Sequence, residues 1–145
     1  DVADGSVGGR RRAVARAGLV VDAVFGGGVP GAASRAFGGV VDACSESPAP
    51  VMAIDLPSGL NATTGAVAGQ AIRADVTVTF IGLKAGLFTG QGAECGGDVL
   101  FESLDTDDWA SESGQRPLAR RVDWQSIRSV IPRPGPYTHL TLPTI

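Results

Sequence analysis

The sequence predicts an α/β fold, with a mostly parallel sheet and helices packed against it. Three observations carry this. Short apolar, β-branched runs at Gly18–Phe25, Val51–Ile54 and Ala74–Ile81 read as strands. Between the first two lie a glycine-rich turn and a helical stripe, so the chain reads β-loop-α-β and those strands should be parallel neighbours. The side chains that could do chemistry follow the strands' carboxyl ends, where open α/β sheets place their ligands.

Composition narrows the class. A chain of 145 residues supports one domain that buries roughly two-thirds of its surface. Hydrophobic residues at 43% and charged residues at 19% are those of a globular chain rather than a disordered one. A net charge of −3 without charge blocks gives no reason for a nucleic-acid or anionic membrane partner. No apolar run approaches the ~18 residues of a membrane span, and the opening residues do not read as a signal peptide. Cys44 and Cys95 stand far apart without metal-ligand spacing, so a reducing cytoplasm is expected. Lys84 is the single lysine and His139, six residues from the C-terminus, the single histidine, which limits the available chemistry.

Along the chain, Asp1–Gly9 lacks periodicity and begins without Met, like a cut edge, and Arg10–Ala17 suggests a short helix with Val14 and Ala17 inward. Gly18–Phe25 is nearly continuous in apolar character except at Asp22. A carboxylate inside such a strand is costly unless it is paired or binds a cation; the plain alternative is a half-exposed position near the strand end. Gly26, Gly27, Gly28, Val29, Pro30 and Gly31 follow. Ala33, Ala36, Phe37, Val40, Val41 and Cys44 then recur at helical spacing, with Arg35 and Asp42 pointing away. Strand, glycine-rich turn and helix present backbone N–H groups to a phosphate, although this turn matches neither G-x-G-x-x-G nor the Walker pattern.

Val51–Ile54, bounded by Pro48, Pro50 and Pro57, reads as a strand buried on both faces. Asp55 ends it. Pro57 restricts Leu56 to extended backbone and Gly59 permits a sharp turn, so Ser58 is held beside Asp55. The plain alternative is an Asp-anchored turn. Asn61–Gln70 is a polar loop, and Ala74–Ile81 alternates Val76, Val78 and Phe80 against polar or small residues. Lys84 falls just past that strand, on the side of Asp55 if the strands are parallel. Gly97–Leu104 reads as a strand toward a sheet edge and Asp105–Arg121 as linker-like. Asp123 can cap a short helix carrying Trp124, Ile127, Val130 and Ile131 before Pro132.

The stretches V-V-D-A-V-F-G-G-G, V-M-A-I-D-L-P-S-G-L-N-A-T-T-G, I-R-A-D-V-T-V-T-F-I-G-L-K-A-G-L and R-S-V-I-P-R-P-G-P together resemble the NAD(P)H-hydrate epimerase family, over roughly residues 18 to 135. That family is the N-terminal domain of bifunctional NAD(P)HX repair enzymes. The resemblance implies a Rossmann-like three-layer α/β/α sandwich that interconverts the R and S forms of hydrated NADH or NADPH. It implies that Asp22 and Ser58 hold a potassium ion, an oxygen donor set suited to a hard cation. It implies that Gly26, Gly27, Gly28, Val29, Pro30, Gly31 and Ala32 bind the nucleotide. Asp55 would contact the hydrated nicotinamide and act as acid–base group, with Lys84 nearby. On this reading 1–122 is a partial epimerase domain, 123–135 starts a linker to a fused dehydratase domain, and 136–145 is a non-family tail. The implied partners are NADHX or NADPHX, the fused domain and, as an open alternative, a second copy of the chain.

Nothing here matches the family's N-N-G-G-D-G loop, so the first strands and part of the pocket are expected to be missing. That should leave an exposed apolar edge or face. Three other readings compete with this one. A serine hydrolase built on Ser58 lacks a base outside the tail and lacks the G-x-S-x-G elbow. A hydride-transferring dehydrogenase lacks the dinucleotide fingerprint. A non-catalytic nucleotide- or partner-binding module of the same fold is the serious rival, and it is separated by whether Asp22, Asp55, Ser58 and Lys84 converge.

Overall fold

Four strands, β1 (Val20–Asp22), β2 (Val51–Ile54), β3 (Val76–Phe80) and β4 (Asp98–Glu102), pair in the order β1-β2-β3-β4, and every pairing is parallel. This is a Rossmann-like α/β arrangement, and the parallel β1–β2 pair joined through a helix is the β-loop-α-β unit the sequence predicts. The computed structural model describes residues 7–25, 35–114, 116–128 and 130–131. Its helices are α1 (Val7–Ala15), α2 (Arg35–Ser45), α3 (Gly92–Cys95), α4 (Asp107–Glu112) and α5 (Trp124–Ile127), with a 3₁₀ turn at Ala85–Leu87. The chain divides into two compact units, Asp1–Gln115 and Arg116–Ile145.

Register places Asp22, Ala53, Thr77 and Val99 side by side, and in a parallel sheet paired residues share a face. This is the covered face. The expected stripe of α2 lands here: Phe37, Val41 and Cys44 are buried with Val51, Ala53, Ile72 and Ala74. Each such large apolar side chain contributes about 1.5–3 kcal/mol on burial. A second cluster of Leu56, Leu60, Leu87 and Cys95 packs with Val99 under the 56–72 loop. Ser47 and Glu46, just past α2, reach α1 through Val14 O (3.3 Å) and Arg11 (3.4 Å).

The other face carries Val21, Met52 and Val76 in one row and Ile54, Val78 and Leu100 in the next. Val21 (50%) and Leu100 (56%) are exposed and the rest are half-buried. So β2 is buried on one face only, not on both as expected, and Val21 and Leu100 leave apolar surface exposed on the two outer strands. In β3 the alternation is inverted. Val76, Val78 and Phe80 are half-buried while Thr77 and Thr79 are fully enclosed. The threonines bear burial because each hydroxyl finds an acceptor, Thr77 donating to Gly96 O at 2.6 Å and Thr79 to Asp55.

Two other elements differ from expectation. The first strand spans three residues rather than Gly18–Phe25. Past Asp22 the Val24 N–H turns to that residue's own carboxylate (3.4 Å) and the Phe25 N–H to Ser58 Oγ (3.0 Å), so the chain leaves the ladder. The segment Asp105–Arg121, expected as linker, contains α4, whose first turn carries Asp107 and Asp108 at the helix's positive end. Asp123 caps α5 as expected, in a capping box with Ser126 (2.7 Å to its N–H).

Candidate active site

Asp55 ends β2 in the left-handed region, with φ 70°, which Asp tolerates better than most residues. Its N–H bonds Val78 O at 2.7 Å, so the backbone is held by β3 even as it turns out of the sheet. Gly59 then turns the chain at φ 96°, where an added Cβ would lie 2.3 Å from Gln70 O. The D-L-P-S-G stretch is thereby a fixed corner carrying Asp55 on one side and Ser58 on the other.

β3 supplies the partners of Asp55. Its Oδ1 accepts from Phe80 N (3.2 Å), from Thr79 Oγ1 (3.3 Å) and from Lys84 Nζ in an ion pair. Lys84 comes back to the strand end because Ile81 takes φ 65° and Gly82 N bonds Phe80 O at 2.6 Å; its ammonium also donates to Phe80 O at 2.8 Å. A β-branched residue at positive φ is strained by about 1–3 kcal/mol, and such strain collects at functional sites. The Asp55 and Lys84 side chains are each about a quarter exposed, at 26% and 23%, so the pair is accessible yet partly desolvated. Burial pushes the Asp55 carboxyl up. The hydrogen bond from Lys84, the Phe80 N–H, the Lys84 charge and the Thr79 hydroxyl outweigh it and hold the carboxyl below its ordinary value. Asp55 is therefore a carboxylate at neutral pH, able to take a proton rather than give one.

Asp22 is 2% exposed, not half-exposed. Its Oδ1 accepts from Ser58 Oγ at 2.6 Å and its Oδ2 from Ser58 N at 2.8 Å, which ties the ends of β1 and β2 together. Among the described residues no lysine or arginine pairs with it. A buried carboxylate without a cationic side chain, beside a hydroxyl, is an all-oxygen donor set whose chemistry fits a hard cation. No group of three or more His, Cys, Asp and Glu occurs among the described residues, so a site here would draw on hydroxyl or backbone oxygens for its remaining ligands.

The four polar candidates thus meet as two pairs, Asp55–Lys84 and Asp22–Ser58, on one corner at the carboxyl ends of β1, β2 and β3. The loop residues Gly26, Gly27, Gly28, Val29, Pro30, Gly31 and Ala32 lie outside the described residues. Sequence reasoning missed Thr79 and the Phe80 N–H. The one available signal was spacing: in V-T-V-T-F the second threonine is five residues before Lys84, on the strand beside Asp55.

A carboxylate–ammonium pair and a buried carboxylate–hydroxyl pair at neighbouring parallel strand ends mark a Rossmann-like α/β domain with its polar candidates at the carboxyl edge of the sheet. The family described as YjeF-related protein N-terminus matches residues 4–86, and the chain belongs to it. It is 38% identical over 121 residues to the Escherichia coli bifunctional NAD(P)H-hydrate repair enzyme Nnr, covering 83% of this chain and 23% of that one. It is 44% identical over 106 residues to the bifunctional NAD(P)H-hydrate repair enzyme of Leishmania infantum, covering 72% of this chain and 19% of the relative. To the NAD(P)H-hydrate epimerase of Limosilactobacillus fermentum it is 45% identical over 82 residues, 57% of this chain and 39% of that one. The chain therefore spans about a quarter or less of the bifunctional relatives' length.

Proposed function

We propose that this chain is the epimerase portion of an NAD(P)H-hydrate repair enzyme and interconverts the R and S forms of hydrated NADH or NADPH. The observation that carries the reading is the Asp55–Lys84 pair at the ends of β2 and β3, inside the stretch that matches the family. Epimerisation breaks the C6–O bond as the hydroxyl leaves as water, then forms it again on the other face. The leaving hydroxyl needs a proton and the incoming water must lose one. Asp55, held as a carboxylate, takes the proton from the incoming water. The Lys84 ammonium gives one to the leaving hydroxyl; the solvent that reaches this quarter-exposed pair then takes the proton from Asp55 and restores the one on Lys84. Asp55 alone, cycling between acid and base, is disfavoured by its lowered pKa. The direct test is the R-to-S conversion of hydrated NADH by the full-length protein, followed by chromatographic separation of the epimers. Nucleotide binding without interconversion would favour the alternative, a non-catalytic nucleotide- or partner-binding module.

Asp22 and Ser58 would hold potassium. The bound ion would supply positive charge that neutralises the buried carboxylate and favours an anionic ligand. Exchanging potassium for tetramethylammonium is then expected to weaken substrate binding by about fivefold or more. Binding indifferent to the cation would leave Asp22 as the clamp that ties Ser58 to β1. Residues 26–32 would bind the nucleotide; in sequence they follow Phe25, whose N–H is held by Ser58, and precede α2. The same reading takes 1–122 as a partial epimerase domain, 123–135 as the start of a linker to a fused dehydratase domain and 136–145 as a tail outside it. It places the protein in the cytoplasm and allows assembly with a second copy. No helix among the described residues is long and apolar enough to cross a membrane.

A further inference from the structure

Thr79 is 0% exposed, and its hydroxyl has a different partner from that of its neighbour on the same face. Thr77 gives its proton to a backbone carbonyl, Gly96 O, at 2.6 Å, which is the ordinary way a buried threonine is satisfied. Thr79 points its hydroxyl at a side-chain carboxylate across the sheet, at 3.3 Å from Asp55 Oδ1. With the Phe80 N–H and the Lys84 ammonium, that makes three donors converging on one oxygen of Asp55. Among the described residues none donates to Oδ2. A carboxylate gripped through one oxygen cannot rotate about its Cβ–Cγ bond without breaking several hydrogen bonds at once, so the other oxygen keeps one direction.

We infer that Thr79 is a positioning residue for the proposed epimerisation: its buried hydroxyl helps to fix Asp55 by Oδ1 and leaves Oδ2 as the oxygen that meets the reacting water. The inference rests on the reading of Asp55 given above. The contact is longer than the usual hydroxyl–oxygen distance, as catalytic hydrogen bonds often are before substrate arrives. The charged group facing Asp55 is Lys84, from the segment after β3; among the described residues no other ionisable side chain bonds to it. The Thr79 hydroxyl also lowers the Asp55 pKa, so its removal should raise it.

The test compares Thr79→Val, Thr79→Ser and Thr77→Val in the full chain. Thr79→Val keeps the shape and deletes the donor. It is expected to lower kcat about tenfold, with KM changed by less than about twofold, because misorientation is felt mainly in the transition state. The acid limb of the pH–rate profile should move to higher pH. The Asp55 carboxyl midpoint, followed by carbon NMR without substrate, should move the same way. Thr79→Ser should restore both, and Thr77→Val should move neither. The inference is overturned if Thr79→Val leaves kcat and the Asp55 midpoint unchanged. It is also overturned if Thr79→Ser is as impaired as Thr79→Val, which would mean that the methyl group matters and the hydroxyl does not. Should Thr79→Val not fold, Thr79→Cys, near in size and a far weaker donor, takes its place with the same outcomes. If the unsubstituted protein fails to epimerise hydrated NADH, the functional reading falls. The NMR midpoint then still decides whether Thr79 holds Asp55.

Discussion

Replacing Asp55 by asparagine is expected to lower the R-to-S conversion of hydrated NADH by about 10²–10⁴-fold, the usual contribution of a general acid–base group, with little change in nucleotide affinity. Asn also tolerates the φ of 70° at this corner, so the fold should survive. Its amide oxygen can still accept from Thr79 and the Phe80 N–H, but it carries no charge for Lys84. The pH dependence has a definite sign. The Asp55 carboxyl lies below its ordinary value in the folded protein, so its contribution to stability is present above the ordinary Asp range. That contribution is lost as the pH falls through the lowered folded value. The stability gap between the protein and the Asn variant should therefore be widest near neutrality and narrow in acid, as urea titrations at several pH values would show. Near-full epimerisation by the Asn variant would leave Asp55 out of the proton transfer and make Lys84 the remaining candidate. Loss of folding would show that Asp55 acts mainly as the anchor of the Leu56–Gly59 turn.

The part of this fold that could be read from the chain is the part with a period. Phe37, Val41 and Cys44 recur at helical spacing, and all three are buried against β2. Val51–Ile54 ends at the acid the structure also places at the strand end, because the apolar run and Pro57 bound it from both sides. What failed was inferring which side of a strand faces in. In V-T-V-T-F hydrophobicity alone turns the valines inward, yet Thr77 and Thr79 are the enclosed residues, since Gly96 O and Asp55 Oδ1 satisfy them. Those acceptors are 19 and 24 residues away in the chain, and no local pattern announces them. The length of β1 failed for the same reason. Asp22 and Ser58, 36 residues apart, draw the backbone after Asp22 out of the ladder.

The site was legible as a set of residues and not as a network. A lone lysine just past a strand, on the side of an acid that ends the neighbouring strand, was enough to place Lys84 near Asp55. The left-handed backbone at Ile81 that brings the lysine back was not, because a β-branched residue is the last to suggest it. Asp22 stands out in the sequence as a costly charge in an apolar strand. Its solution, two hydrogen bonds from one serine, depends on the corner after β2.

Gly86→Ala is expected to be strongly damaging although it adds a single methyl group. An added Cβ at Gly86 would lie 2.0 Å from Asn61 O and 2.8 Å from both the carbonyl carbon and the oxygen of Ala62. These are backbone atoms, which cannot swing aside as a flexible side chain would. The Gly86 N–H donates to Ala62 O at 2.7 Å, so the chain must approach this closely to make the bond that docks the 3₁₀ turn on the 61–66 loop. Relieving the clash separates that turn from the loop and opens the cluster of Leu56, Leu60 and Leu87. A loss of about 3 kcal/mol, at the upper end for overpacking, would lower Tm by roughly 10 °C for a unit of this size. Lys84 lies two residues before Gly86, so epimerase activity should fall even at temperatures where the variant stays folded. Gly82→Ala is the control: nothing lies within 4 Å of its added Cβ and its φ is not positive. Its Tm should be unchanged or slightly raised, because alanine removes freedom from the unfolded chain. Equal Tm values and equal activities for the two alanine variants would refute the close contact between Gly86 and the Asn61–Ala62 backbone, and with it the docking that presents Lys84 to Asp55.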